Sequence, residues 1–141
     1  MKADARMEAE IKAVLEEFAE AYKLRDLQRA MGCFAPDEDV VMYGTGVDEK
    51  RVGRNEMRVQ LQRDWEQTES TELIYDWVSV SGAGGVAWAA VDATFRIRAG
   101  GDEMVLPARL TTVFEKREGK WLIVQGHFSS PASGQVGGSS F

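Results

Sequence analysis

The stretch Glu72–Ser129, ELIYDWVSVSGAGGVAWAAVDATFRIRAGGDEMVLPARLTTVFEKREGKWLIVQGHFS, decides the fold. Apolar residues recur in it with period two, which predicts four successive strands near 72–81, 86–98, 104–116 and 121–129. Their connections, Gly82-Ala83-Gly84-Gly85, Ala99-Gly100-Gly101-Asp102 and Arg117-Glu118-Gly119-Lys120, are short and glycine-bearing. Such links join neighbouring antiparallel strands, because a parallel crossover needs about a dozen residues or more. The strands are apolar on both sides. Trp121 and Ile123 alternate against Leu122, Val124 and Phe128, and Val86 and Trp88 against Val91, Phe95 and Ile97. A sheet with one wet face shows a cleaner alternation. Either this sheet curls around an internal cavity, or a second subunit covers its outer face, or both.

Upstream the period becomes helical. Met7, Ile11, Val14, Leu15, Phe18 and Tyr22 form one stripe, with Glu8, Glu10, Lys12, Glu16, Glu17 and Glu20 opposite. Asp26 is placed to cap a second helix, Leu27 to Phe34, which Ala35-Pro36 stops because a residue before proline is pushed out of helical geometry. Val40 to Tyr43 and Arg51 to Gly53 read as a short hairpin. A third helix starts near Asn55, with Met57, Leu61 and Trp65 at four-residue spacing, and fades by Thr68. The expected fold is α+β: three helices on a strongly bent, mainly antiparallel sheet of five or six strands.

Composition narrows the function classes. The chain has 141 residues, enough for one domain, with 44% hydrophobic and 28% charged residues. Seventeen Lys and Arg against 23 Asp and Glu give a net charge of −6. That balance argues against nucleic acid and against an anionic membrane, since no basic surplus replaces phosphate counterions. Cys33 is the sole cysteine, so no internal disulfide forms and a cytoplasmic location is expected. The N-terminus carries Lys2, Asp4, Arg6, Glu8 and Glu10, which leaves no apolar signal-peptide core. The longest run free of Asp, Glu, Lys, Arg and His, Trp77 to Val91, is too short to span a bilayer and contains three glycines.

In this order the motifs resemble the nuclear-transport-factor-2-like superfamily, also described as cystatin-like, and its SnoaL-like group. The resemblance rests on Lys23-Leu24-Arg25-Asp26-Leu27 followed by Cys33-Phe34-Ala35-Pro36-Asp37, and on Gly44-Thr45-Gly46 with Val52-Gly53-Arg54 opening a helix. It rests too on Arg109-Leu110-Thr111-Thr112-Val113 leading into Gly119-Lys120-Trp121-Leu122-Ile123-Val124-Gln125-Gly126-His127-Phe128-Ser129. The last stretch also resembles the association domain of calcium/calmodulin-dependent kinase II. The resemblance implies a cone with a pocket between helices and sheet, and usually a homodimer across the sheet's outer face. It implies a single SnoaL-like domain over residues 1–130, followed by a Gly/Ser-rich tail, 131–141. It does not carry a reaction, because isomerases, dehydratases, transport factors and oligomerising hubs share the scaffold. The Asp base, Tyr and second acid of the ketosteroid-isomerase branch find no residue-by-residue match.

Among residues able to carry chemistry, His127 is the only histidine, the side chain that ordinarily titrates near neutrality. Asp92 interrupts an uncharged stretch, where desolvation would suit it to act as a base. These are the candidate proton carriers of a cofactor-independent lyase or isomerase. Arg109 on the adjoining strand is the candidate ligand clamp. A bulged three-residue loop at 117–120 puts Arg109 opposite His127, whereas a two-residue turn puts Leu110 there. The bulged register, with Arg109 and His127 in one polar patch, is the expectation. Tyr43, Tyr75, Trp65 and Trp88 are candidate pocket aromatics. One His and one Cys are too few for a zinc site, so no metal and no cofactor are expected. Ser129 lacks a Gly-x-Ser-x-Gly context, and Gly82–Gly85 leads into a strand rather than the helix of a phosphate loop. The leading expectation is binding of a small, partly apolar ligand in the pocket. The rivals are proton-transfer catalysis and a pure oligomerisation module.

Overall fold

The computed structural model describes residues 1–141. Helix α1 spans Ala5–Leu24; Asp4 opens it by accepting a hydrogen bond from the Met7 amide at 2.8 Å. Its stripe Ile11, Leu15, Phe18 and Tyr22 is buried against the sheet. Arg25 ends the helix in the left-handed conformation, and Asp26 at once caps α2 (Leu27–Met31) through the Arg29 amide. The second helix stops three residues short of the predicted Phe34. Cys33 and Phe34 instead run beside the last strand, where the Ile123 amide donates to the Cys33 carbonyl and the Ala35 amide to the Ile123 carbonyl.

Strands β1 (Val41–Tyr43) and β2 (Lys50–Val52) form the hairpin, α3 covers Arg54–Glu66, and β3 (Ser70–Ala83), β4 (Val86–Ala99), β5 (Asp102–Arg117) and β6 (Lys120–Ser129) form the meander. Every meander strand extends one to two residues past one or both of its predicted ends, because the turns are two-residue turns: Gly84-Gly85, Gly100-Gly101 and Glu118-Gly119. The sheet order is β2-β1-β6-β5-β4-β3, antiparallel except where β1 runs parallel to β6. Two bulges interrupt it, at Asp76 in β3 and at Val124 in β6. Bulges bend and twist strands locally.

Pleating separates two faces. Ala87, Ala89, Val91 and Ala93 of β4, Ala108, Leu110 and Phe114 of β5, and Trp121 and Ile123 of β6 are buried toward the helices. The residues between them face away. α1 lies mainly against β3. Tyr75 locks the same contact, its hydroxyl donating to the Leu15 carbonyl at 2.8 Å. After Ser129 the chain forms no helix or strand and is exposed from Pro131 onward. No helix is long and apolar enough to cross a membrane.

Arg25 joins α1 to the far end of α3. Its guanidinium donates to the carbonyls of Trp65 and Thr68 and to the Thr68 hydroxyl, at 2.6 to 3.0 Å. Those carbonyls lie where a helix leaves its acceptors unpaired. Arg25→Ala is expected to cost about 2 kcal/mol, the usual size for charged hydrogen bonds, read as a lower urea midpoint with an unchanged slope.

Candidate functional site

A cavity of about 350 Å³ opens between α1, α3, the β1–β2 hairpin and the inner face of the sheet. Its position follows from where the packing residues end. Toward the β3–β4 turn the inner face carries the small buried residues Ala87 and Ala89. Toward the opposite end it carries Thr71, Phe95, Ile97, Met104 and Leu106, which line the cavity, with the Tyr22 ring of α1 edge-on to Phe95. Gly126 lies on the same face, beneath Met42. A Cβ there would come 2.7 Å from the Met42 thioether, so the missing side chain is what lets Met42 fold over the β6 strand.

The polar end of the cavity comes from α3. Met57, Gln60, Leu61 and Asp64 recur at helical spacing and share its cavity face, with Thr68 just past its end. Asp64 is the centre. Its Oδ2 accepts from the Tyr22 hydroxyl at 2.9 Å, and its Oδ1 accepts from Gln60 Nε2 at 2.6 Å. The Gln60 amide also donates to Glu49 at 3.1 Å, and its carbonyl accepts from Arg51 Nε at 2.8 Å. Arg63 forms ion pairs with Asp48 and Glu49. Burial pushes the Asp64 carboxyl above the ordinary aspartate range, with the charge of Glu49 adding to the rise and the Tyr22 and Gln60 hydrogen bonds opposing it. Burial, then Asp64, raise the Tyr22 phenol, so it stays a donor. The Thr71 hydroxyl, on a residue 3% exposed, lines the cavity without a hydrogen-bond partner.

The sign of the Asp64 shift sets a pH dependence. Its folded-state pKa lies above its unfolded one, so the ionised form strains the fold. The full contribution is present below the ordinary aspartate pKa and declines as pH rises through the raised value. Asp64→Asn is therefore expected to melt higher than the parent at about pH 7 and equally at about pH 3, where both side chains are neutral.

The residues singled out in the sequence fall elsewhere, with one exception. Tyr43 stands at the rim, lining the cavity, with its ring 5.0 Å from that of His127. Trp65 packs toward α1, its indole N–H donating to the Tyr22 carbonyl at 3.1 Å, and Tyr75 lies under α1. Trp88 is half-buried on the outer face. Asp92, Arg109 and His127 are exposed on that same outer face, on the other side of the sheet from the cavity. His127 stands opposite Thr111, and Arg109 pairs with Asp92 on one side and Ser129 on the other. The loop is the two-residue turn, yet the bulge at Val124 shifts the register by one, so neither Arg109 nor Leu110 faces His127. Arg109 and His127 still share a face.

Residues 11–133 match a family model described as a SnoaL-like domain. The chain belongs to the SnoaL-like domain family. No curated protein matches it. Solved structures place the SnoaL-like chain in its fold. It is similar to a nuclear transport factor 2-like superfamily protein of Salmonella enterica serovar Typhimurium (TM-score 0.85, 19% identity, 97% and 99% of the two chains covered). It is also similar to a candidate calcium/calmodulin-dependent kinase II association domain of Xanthomonas campestris (0.79, 25%, 93% and 90%). A candidate dehydratase of the NTF2-like family from Streptomyces avermitilis aligns comparably (0.80, 19%, 89% and 96%). The polar end of the SnoaL-like cavity is built from residues that do not stand out in the sequence. In the sequence Tyr22 stands in the apolar α1 stripe, and nothing around Asp64 in α3 singles it out. The spacing Met57-Gln60-Leu61-Asp64 was the available signal, since it puts two polar residues on the face that Met57 and Leu61 mark as inward.

Proposed function

We propose that this SnoaL-like protein binds a small, partly apolar molecule in the cavity. The observation that carries this reading is a 350 Å³ space with apolar walls and one polar end, at Asp64, Tyr22 and Gln60. Small-molecule sites have this form: mostly apolar lining with a few converging polar groups, from about 300 Å³ upward. Ile97→Trp places a large ring in the cavity from the half-buried end of β4. A library of small aromatic and alicyclic compounds screened by thermal shift should yield compounds that raise the parent's melting temperature and leave Ile97→Trp unmoved. Compounds that shift both equally, or none that shift the parent, would end the reading. A lyase or isomerase on this site would draw its proton carrier from Asp64 and Tyr22, since Asp92 and His127 face the other way. Cytoplasmic residence belongs to the same proposal and rests on Cys33, buried and without a disulfide partner.

The outer face supports a second, compatible proposal, a homodimer. Trp77 is 55% exposed there, and Val105 58%, beside half-buried Trp88 and Val113. Apolar groups gathered on one open sheet face mark an interaction surface, and Asp92, Arg109 and His127 would then be seam residues. Sedimentation should show a dimer that Trp77→Arg converts to monomer; a parent chain that stays monomeric at micromolar concentration would refute it.

A further inference from the structure

The geometry points to a protonated amine as the group that the cavity's polar end receives; this deepens the binding reading above and rests on it. A cavity end can be built to donate or to accept. Here the two nearest donors, the Tyr22 hydroxyl and the Gln60 amide, are already directed at carboxylate oxygens. An ionised carboxylate accepts about four hydrogen bonds, and Asp64 receives two. Lone pairs therefore remain on both of its oxygens.

The charges around Asp64 lead to the same conclusion. Arg63, on its own helix, is held by Asp48 and Glu49. Arg51, on β2, meets the Gln60 carbonyl oxygen and the Asp48 main chain. Arg25, after α1, is occupied by Trp65 and Thr68. Glu49 lines the same end, its charge shared with Arg63. Asp64 thus lies in an apolar cavity with neutral hydrogen-bond donors and no ion-pair partner. Leaving a charge in that state is costly, and a cation that pairs with it removes the cost.

Two independent features fit the rest of such a ligand. Thr71 Oγ1 is buried on the cavity wall with nothing to bond, a vacant polar contact for an N–H or O–H of the ligand. The ring of Tyr22 lies 6.3 Å from that of Phe95, and Phe95 lies 5.4 Å from Phe128. All three rings line the cavity. Aromatic faces attract an ammonium group most strongly where water is excluded. The ligand class is a small aromatic or aliphatic amine, its nitrogen at Asp64 and its apolar body along Phe95, Ile97 and Leu106.

Three probes of one skeleton test this by calorimetry at neutral pH: phenethylamine, 2-phenylethanol and phenylacetate. The amine should bind the parent at least about tenfold more tightly than either other probe, the difference expected from one added charge-assisted contact. Asp64→Asn should bring the amine down to the level of the alcohol while melting no lower than the parent. Thr71→Val, which removes an unsatisfied hydroxyl, should weaken the amine several-fold without loss of stability. Equal binding of amine and alcohol by the parent, tighter binding of phenylacetate, or a preference that survives in Asp64→Asn overturns the inference and leaves the cavity reading standing. Failure of all three probes to bind, with no hit in the thermal-shift library, removes both.

Discussion

Phe114→Ala should lose about 3–5 kcal/mol, the range for emptying a buried phenylalanine site. Phe114 is 0% exposed and is the largest of the fully buried side chains. It sits on β5 against Ala87 of β4 and Ile123 of β6, at the point where the Val124 bulge shifts the register. Alanine already occupies the facing position on β4, Ala87, so that side offers no large side chain to fill the hole. A domain is commonly stable by only about 5–15 kcal/mol, so the variant should be largely unfolded at modest urea. The check is a urea titration followed by tryptophan fluorescence. A midpoint shift worth less than about 1 kcal/mol would show that the site collapses.

Gly53→Ala should cost about 3 kcal/mol, at the upper end for a residue forced into a glycine-only conformation. Gly53 opens α3 with φ of 82° and ψ of 165°, its amide donating to the Val40 carbonyl at 2.8 Å. An added Cβ would lie 3.1 Å from the Glu38 carbonyl, which is main chain and cannot step aside cheaply. The strain acts at the hinge that aims Gln60 and Asp64 into the cavity, so ligand binding should fall with stability. Gly85→Ala is the control: φ there is not positive and no atom lies within 4 Å of the added methyl. Its midpoint should move by less than about 0.5 kcal/mol. Equal effects at the two glycines would show that the backbone at Gly53 adapts.

The fold was legible because its signals are local. Period-two runs punctuated by glycine turns define β3 to β6, and Asp26 announces α2 in the sequence as it does in space. The short hairpin and its parallel seat on β6 were less so, since three-residue strands carry almost no pattern. The site was harder for a different reason. Asp92 and His127 stand out in the sequence because they interrupt apolar strands, yet pleating sends them to the outer face. Asp64 does not stand out, because a charged residue in an amphipathic helix is the normal case. Only the three-dimensional closure of α3 over the sheet makes it an interior group. A one-residue bulge at Val124, which no composition signal marks, decided the alignment of His127.

β6 is flanked by β5 and by β1, and its Ile123 main chain also holds Cys33 and Ala35. The meander closes through two-residue turns, whereas β1 reaches β6 from the far end of the chain. Loop-closure entropy makes such distant pairings slow relative to hairpins. The expected order is meander first, with the β1–β2 hairpin docking last on an already formed β6 edge. Met42 and Arg51 enter with that hairpin. The cavity is therefore an acquisition of the final folding step, and a chain arrested before it would own most of its hydrogen bonds and none of its enclosed space.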